Sequence, residues 1–495
     1  MAHSLQYILL FMKNVFELLF SYYIDKPNDF LFEDSAKEAS VKDVFLSSCG
    51  IASSLLKKGI DNSPILVFVD RSMKALISFF GIALSHNYYL PLDENIPEEK
   101  LKQILDDSQP KAYFSFNGRE VGSIPRLDFD SSIKNVLSEE EMNRFLSSSD
   151  VNSPLYLMFT SGSTGKPKGV LKSHKNILSF VENFSETFPF LENGQRIMNQ
   201  TPFFFDASSK DIYLTLKYKG TLYIPDKNSF ALPQTTIEYL NKNKITMISW
   251  VPSALTLIAK LRTLDFMKPE YLKYVFFVGE VFQPKYLNIW IKALPCTRFF
   301  NIYGSTEIAG VSLAYEVCHE MNENEALPTG KPLKNNEVFL DNGEIVISSE
   351  QIALGYINDP EKNKTTFRET SKGKLLHTGD YAYLDKDNNF VFKTRMDYQI
   401  KHLGYRIELQ EIDTLLTSLE YIDSCCALYD KEKDKIVLFS TLNRVIENPV
   451  KQILSDAKKK LQFYMIPNKV VILDKMPLNA NGKIDRAKLG DYLKE

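Results

Sequence analysis

Short runs of β-branched and aromatic residues alternate with helical stretches along roughly the first 390 residues, and this alternation constrains the fold more than any other feature. The runs PILVFVD, KAYFSF, LYLMFTSG, GTLYIP, TMISWVP, YVFFVGE and RFFNIYG are short, apolar and closed by Gly, Pro or a polar residue. Strands that read apolar throughout are buried on both faces, as parallel strands are, with helices as their crossovers. From Gly343 the texture changes: GEIVIS and YAYLDKDNNFVFKTR read as antiparallel strands, the second a hairpin turning at Asp387-Asn388-Asn389. A compact tail follows, with the helical stretch ELQEIDTLLTSL and the strands CCALYD, KIVLFSTL and NKVVILD, and KEKDK (431–435) as a solvated turn. The expected organisation is a large α/β domain over residues 1–396 with parallel-rich sheets, and a small α+β domain over 397–495.

At 495 residues the chain exceeds what one compact core supports, in line with two domains. Its 59 basic and 62 acidic side chains leave a formal charge of −3, which gives no electrostatic case for nucleic acid or an anionic membrane. Cys49, Cys296, Cys318, Cys425 and Cys426 are odd in number and lack metal-ligand spacing, so free thiols in a reducing, cytoplasmic setting are expected. The apolar N-terminal run MAHSLQYILLFMKNVFELLFSYY has no basic leader, and Lys13, Asn14 and Glu17 interrupt it. An amphipathic helix packed on the body is the expectation there, rather than a signal peptide or a membrane insertion.

A strand leads directly into the loop Thr160-Ser161-Gly162-Ser163-Thr164-Gly165-Lys166-Pro167-Lys168-Gly169. Glycines let the backbone approach a polyphosphate, hydroxyls and N–H groups donate to its oxygens, and Lys166 and Lys168 offset its charge. The loop is not G-x-x-x-x-G-K-[ST]: Gly162 and Gly165 are three apart, and Pro167 follows Lys166 where Ser or Thr would hold magnesium.

TSGSTGKPKGV resembles the signature loop of acyl-adenylate-forming enzymes, a superfamily of acyl- and aryl-CoA synthetases, luciferases and adenylation domains of nonribosomal peptide synthetases. LPLDENIPEEKL (90–101), NIYGSTE (301–307), GEIVISSEQIALGYINDP (343–360), HTGD (377–380), TRMDYQIKHLGYRIELQEID (394–413) and PLNANGKIDR (477–486) are similar to its other motifs, in the same order. The resemblance spans nearly the whole chain. It implies a large domain with a distorted β-barrel-like part and a mobile small domain, with ATP and magnesium (Mg2+) as cofactors. It also implies an ATP-dependent acid–thiol ligase releasing AMP and pyrophosphate.

In such a reaction a carboxylate attacks the α-phosphate of ATP, so two anions must meet and the site needs cations and positioning. By resemblance, Lys483 would touch the carboxylate and the α-phosphate or ribose, and Thr306 would sit beside that phosphate. Glu307 would ligate magnesium, a metal that favours hard oxygen donors. Asp380 would hold the ribose hydroxyls with Arg395 assisting, Tyr303 would stack on adenine, Asn301 would meet its exocyclic amine, and Gly279 would also line the nucleotide site. Asp397 falls at the family's hinge, and Gly404 would leave room for a pantetheine arm in the second half-reaction. Departures are Ser305 for a common proline, Thr394 for a common glycine and Asn479 for a frequent threonine.

FFFDASSKDIY (203–213) is similar to the segment with which amino-acid-activating members bind the substrate's α-ammonium, through the position of Asp206, and to D-alanine–carrier protein ligases. Helix capping by Asp206 is the alternative. The remaining pocket positions read from the peptide-synthetase pattern are Ala207, Lys210, Ser249, Phe276, Val278, Ile302, Gly310 and Val311. Lys210 is the outlier: either it faces an acidic, glutamate-like side chain, or it turns outward or pairs with Asp211. D-alanine and β-alanine stay open as substrates, and so does an acid without an amino group. No carrier domain follows Lys483, so a stand-alone enzyme serving a separate carrier protein or CoA is expected.

Overall fold

The computed structural model describes residues 14–138, 140–141, 145, 150–161, 166–323, 325–371, 373–395, 399–478 and 484–493. Among the expected site positions, Gly162, Ser163, Thr164, Gly165, Asp397 and Lys483 lie outside these residues. The chain divides into two compact units. One comprises Met1–Glu94, Ser108–Met158 and Gly169–Thr394, and the other Asn95–Asp107, Phe159–Lys168 and Arg395–Glu495.

The first unit is built on three sheets. In the nine-stranded sheet the central strands Tyr274–Val278, Met247–Trp250, Arg196–Met198, Thr221–Ile224 and Phe30–Asp34 run parallel, as does Arg298–Tyr303 beside Tyr274–Val278. In the seven-stranded sheet, Pro154–Thr160, Tyr88–Asp93, Pro64–Val69, Ala112–Ser115 and Arg126–Leu127 are parallel neighbours. All seven apolar runs form strands, and Pro64–Val69 is buried at every position, as a strand covered on both faces must be. The third sheet has five strands, and in it Glu344–Ser348 pairs antiparallel with Gly373–Leu384. Phe390–Arg395 returns along Gly373–Leu384 through a turn in which Asp385 Oδ1 accepts from the N–H groups of Asp387 and Asn389, and Asn388 takes a φ of +58°.

In the second unit a three-stranded sheet, Ile422–Asp430, Lys435–Leu442 and Lys469–Ile472, packs with the helices Leu409–Thr417 and Pro449–Lys460. Residues 431–434 form the expected turn, and Lys100 Nζ binds Glu411 Oε1 at 2.8 Å within the unit.

The N-terminal run folds, where described, as the helix Phe16–Asp25, burying Phe16, Leu19, Phe20 and Tyr22. Ten residues are too few for a helix to persist alone in water, whereas each buried aromatic or leucine side chain is worth about 1.5–3 kcal/mol. Packing against the body therefore holds it, with Tyr23 stacked on Phe45 at 4.2 Å. Among the described residues no helix is long and apolar enough to cross a membrane. All five cysteines are free thiols.

His174 opens the helix His174–Thr187 behind a capping box of Ser173 and Asn176, and the Val15 N–H donates to its Nδ1 at 3.3 Å. Burial, aided by His86, pulls this imidazole down to about 3 from 6.5. Below pH 6.5 the unfolded chain takes up a proton that the folded chain refuses, so stability falls as pH drops toward 3, by about 1.4 kcal/mol per pH unit. Acidification from pH 7 to pH 5 should lower the urea midpoint of the wild type relative to that of His174→Gln, since only the wild type carries the buried imidazole; identical pH profiles of the two proteins would contradict the assignment.

Candidate active site

Asn301, Ile302 and Tyr303 end the strand Arg298–Tyr303, at the carboxyl side of a parallel pair where ligands of open α/β sheets gather. The Tyr303 hydroxyl donates to Asp380 Oδ2 at 2.5 Å, and both residues are buried. Asp380 is positioned by Glu344, whose carboxylate accepts from the Gly379 N–H at 2.8 Å and meets His377 Nδ1 at 3.0 Å. Gly379 adopts a φ of +71°, and Thr378 Oγ1 accepts from the Asp380 N–H at 3.1 Å. Asn301 Nδ2 donates to the Pro328 carbonyl at 2.7 Å, which leaves its side-chain oxygen to accept from an amine.

Four residues on from Tyr303, the buried Glu307 accepts from the Tyr356 hydroxyl at 2.8 Å. Gln351 clamps the following loop, donating from Nε2 to the carbonyls of Ala309 (2.6 Å) and Val311 (2.9 Å). Thr306 is half-buried, and the Ser305 hydroxyl finds no hydrogen-bond partner among the described residues. Among those residues no three His, Cys, Asp or Glu side chains are grouped to cage a metal. A carboxylate such as that of Glu307 suits magnesium that arrives with a nucleotide, since this ion is commonly held by one or two carboxylates plus phosphates.

Register brings Ser249 beside Phe276 and Phe276 beside Phe300, while Val278 lies beside Ile302 two residues further on. With a period of two, these side chains share one sheet face. That face is closed by aromatic rings: Phe276 stacks on Phe300 at 4.8 Å and meets Phe184 and Phe188 at 5.3 Å each. Gly310, at φ +63°, has Phe180 so close that a Cβ would lie 2.2 Å from its ring, and Val311 is fully buried. The Ser249 hydroxyl is buried with no partner among the described residues. Gly279 takes a φ of +101° as its strand ends, and Ala207 is half-buried.

Asp206 precedes the helix Ala207–Lys217 but makes no capping bond. Its Oδ1 instead accepts from Lys172 Nζ at 2.6 Å and from the Tyr156 hydroxyl at 2.7 Å. Lys172 is fully buried, donates also to the Ile308 carbonyl at 3.2 Å, and lies 5.6 Å from the centroid of the Tyr156 ring. Burial raises the Asp206 carboxyl above its ordinary value, and the Lys172 charge opposes that rise. Burial likewise lowers Lys172 against the pull of Asp206. Of the two readings for Lys210, the pairing with Asp211 is the one the structure shows, not a cation offered to an acidic substrate: Lys210 is buried and bonds Asp211 Oδ1 at 2.9 Å, while Asn199 Nδ2 donates to Asp211 Oδ2 at 3.0 Å. A buried lysine needs a counter-charge, and its own neighbour supplies it.

In the second unit Ser161 Oγ donates to the Arg406 carbonyl at 2.9 Å and accepts from the Glu408 N–H at 3.2 Å. The Thr160 hydroxyl is buried with no partner among the described residues, Lys166 is exposed and Lys168 half-buried. Arg395 ends the strand Phe390–Arg395. Gly404 and Leu403, with φ of +81° and +53°, form the two-residue turn between the strands Gln399–His402 and Tyr405–Glu408, a geometry that favours glycine.

A family model described as AMP-binding enzyme matches residues 25–357. A D-alanine–D-alanyl carrier protein ligase from Staphylococcus aureus is 31% identical over 438 residues, spanning 87% of this chain and 90% of the relative. The chain belongs to the AMP-binding enzyme family. Among solved structures, the Vibrio cholerae adenylation domain AlmE, in complex with glycyl-adenosine-5'-phosphate, aligns with a TM-score of 0.82 at 18% identity, covering 98% of each chain. The o-succinylbenzoate CoA synthetase of Bacillus subtilis aligns with 0.83 at 19% identity, covering 96% of this chain and 98% of that one. At these identities the likeness is one of fold.

This AMP-binding enzyme is an ATP-dependent acid–thiol ligase. Several residues that build the candidate site are not marked out by the sequence. Glu344 and Tyr356 lie inside motifs similar to the family's, and only their contacts show what they hold. Lys172 carried a signal, a lysine in the mostly buried strand Lys168–Ser173 just beyond the loop. Phe180 carried none beyond ordinary helical periodicity. Lys210→Met should lower unfolding stability by about 3 kcal/mol, because it strands a buried carboxylate, and Lys210→Met with Asp211→Leu should recover most of that loss. Denaturant unfolding of the two variants measures both effects.

Proposed function

We propose that this enzyme activates a small amino acid with ATP and passes it to the phosphopantetheine thiol of a separate carrier protein. One observation carries the reading: Lys172 bonds both Asp206 and the carbonyl of Ile308, next to Glu307, so the acid-recognition carboxylate adjoins the nucleotide set. The aromatic closure by Phe180, Phe276 and Phe300 favours a small side chain, and the pairing of Lys210 with Asp211 removes the case for a glutamate-like one. The Staphylococcus aureus relative, named for D-alanine and its carrier protein, supports the same size class and acceptor.

In this reading Tyr303 is held edge-on by Asp380 and offers its face to adenine, while Asp380 accepts from the ribose hydroxyls. Asn301 accepts from the adenine amine, and Glu307 holds magnesium, which would offset phosphate charge when bound. Lys483, placed by motif alone, brings the carboxylate and α-phosphate together. Pyrophosphate exchange against glycine, both alanines, β-alanine and larger L- and D-amino acids should peak among the small acids, with glutamate well below them. Asp380→Asn and Lys483→Ala should each reduce exchange roughly 100-fold or more, with circular dichroism unchanged. No exchange with any acid would remove the proposal. Thioester formation on a purified carrier, compared with CoA, tests the acceptor.

A further inference from the structure

The cation that meets Asp206 in this fold belongs to the protein. Lys172 Nζ lies 2.6 Å from Asp206 Oδ1, both side chains are buried, and the Tyr156 hydroxyl reinforces the same oxygen at 2.7 Å. A substrate α-ammonium seeking Asp206 must therefore share one carboxylate with an ammonium already in place. At such separations in a desolvated site, like charges oppose one another strongly. Nor is Lys172 a snorkelling surface residue, because its ammonium is enclosed between Asp206, the Ile308 carbonyl and the face of Tyr156. The nearby Glu307 adds a negative charge that is felt at both Asp206 and Lys172. In the proposed function Glu307 would hold the nucleotide's metal, whose charge would offset its own and leave the Asp206–Lys172 pair neutral toward the acid.

An acid bearing a hydroxyl or a hydrogen at the α-carbon meets no such repulsion. A hydroxyl can donate to the second oxygen of Asp206, since Lys172 and Tyr156 both bond Oδ1. We propose that Lys172 is a specificity-determining residue, a built-in competitor for Asp206 that opens this site to small carboxylic acids carrying no α-ammonium. The inference rests on the small-acid ligase reading and widens its substrate class.

The test compares alanine with lactate and propionate as its isosteres, using the better enantiomer of alanine and of lactate and the achiral propionate, by pyrophosphate exchange on the full chain. For the wild-type protein, kcat/KM for alanine should lie within tenfold of the better isostere. A wild-type preference of tenfold or more for alanine overturns the proposal without any variant. In Lys172→Gln, a neutral donor that can still reach Asp206, the alanine-to-isostere ratio should rise at least tenfold, through a lower KM for alanine. Loss of both activities in proportion would mark Lys172 as structural only and overturn the proposal. Should the variant be unstable, thermal shifts decide: alanine should raise its Tm more than lactate does, a difference absent from the wild type. Absence of exchange with every acid would defeat the ligase reading itself, an outcome distinct from a strong alanine preference, which defeats only the role of Lys172.

Discussion

Parallel strand pairs must be covered on both faces, and much of the site depends on that constraint. Helices such as His174–Thr187 and Ala207–Lys217 lie between strands in the chain, so polar side chains concentrate where strands end and loops begin. Tyr303 ends one strand, Gly279 follows another, and Asp206 stands where the chain enters a helix. The same covering makes the floor of the proposed acid site aromatic, because Phe276 and Phe300 meet the rings of Phe188 and, for Phe276, Phe184 on one face of the sheet.

Against this apolar background the buried charges are organised as local pairs. Lys172 with Asp206 and Lys210 with Asp211 neutralise one another within one helix and its neighbours, and the hydroxyls of Tyr156, Tyr89 and Tyr213 add hydrogen bonds around them. Such pairs contribute little to net stability compared with apolar substitutes, but breaking one leaves an unpaired charge in a medium that cannot solvate it. Their value lies in orientation. Asp206 cannot rotate without abandoning two donors, so whatever meets its second oxygen meets a carboxylate already aimed.

The residues proposed to hold the nucleotide are arranged differently, through backbone and motif residues that hold each other. Glu344 fixes the loop carrying Asp380, Asp380 takes the Tyr303 hydroxyl, and Gln351 ties down the chain beyond Glu307. Three segments that are remote in sequence are thus cross-braced by single side chains.

The alternation of apolar runs and helical stretches was enough to establish a parallel α/β body with a smaller α+β tail, because strand and helix periodicities are local properties. The ordered motifs were enough to establish the adenylate-forming family. The hairpin turning near Asn388 was legible for the same reason, its turn needing a positive φ that few residues accept, whereas the turn at Leu403 and Gly404 emerged only in the structure. What only the tertiary structure decided was which charges meet. Lys210 and Asp211 are adjacent, yet nothing local dictates that they bond each other, and Lys172 lies 34 residues from the carboxylate it pairs with. A side chain's charge is written in the chain, but its partner is set by burial, which leaves a lysine only the counter-charge that packing brings within reach.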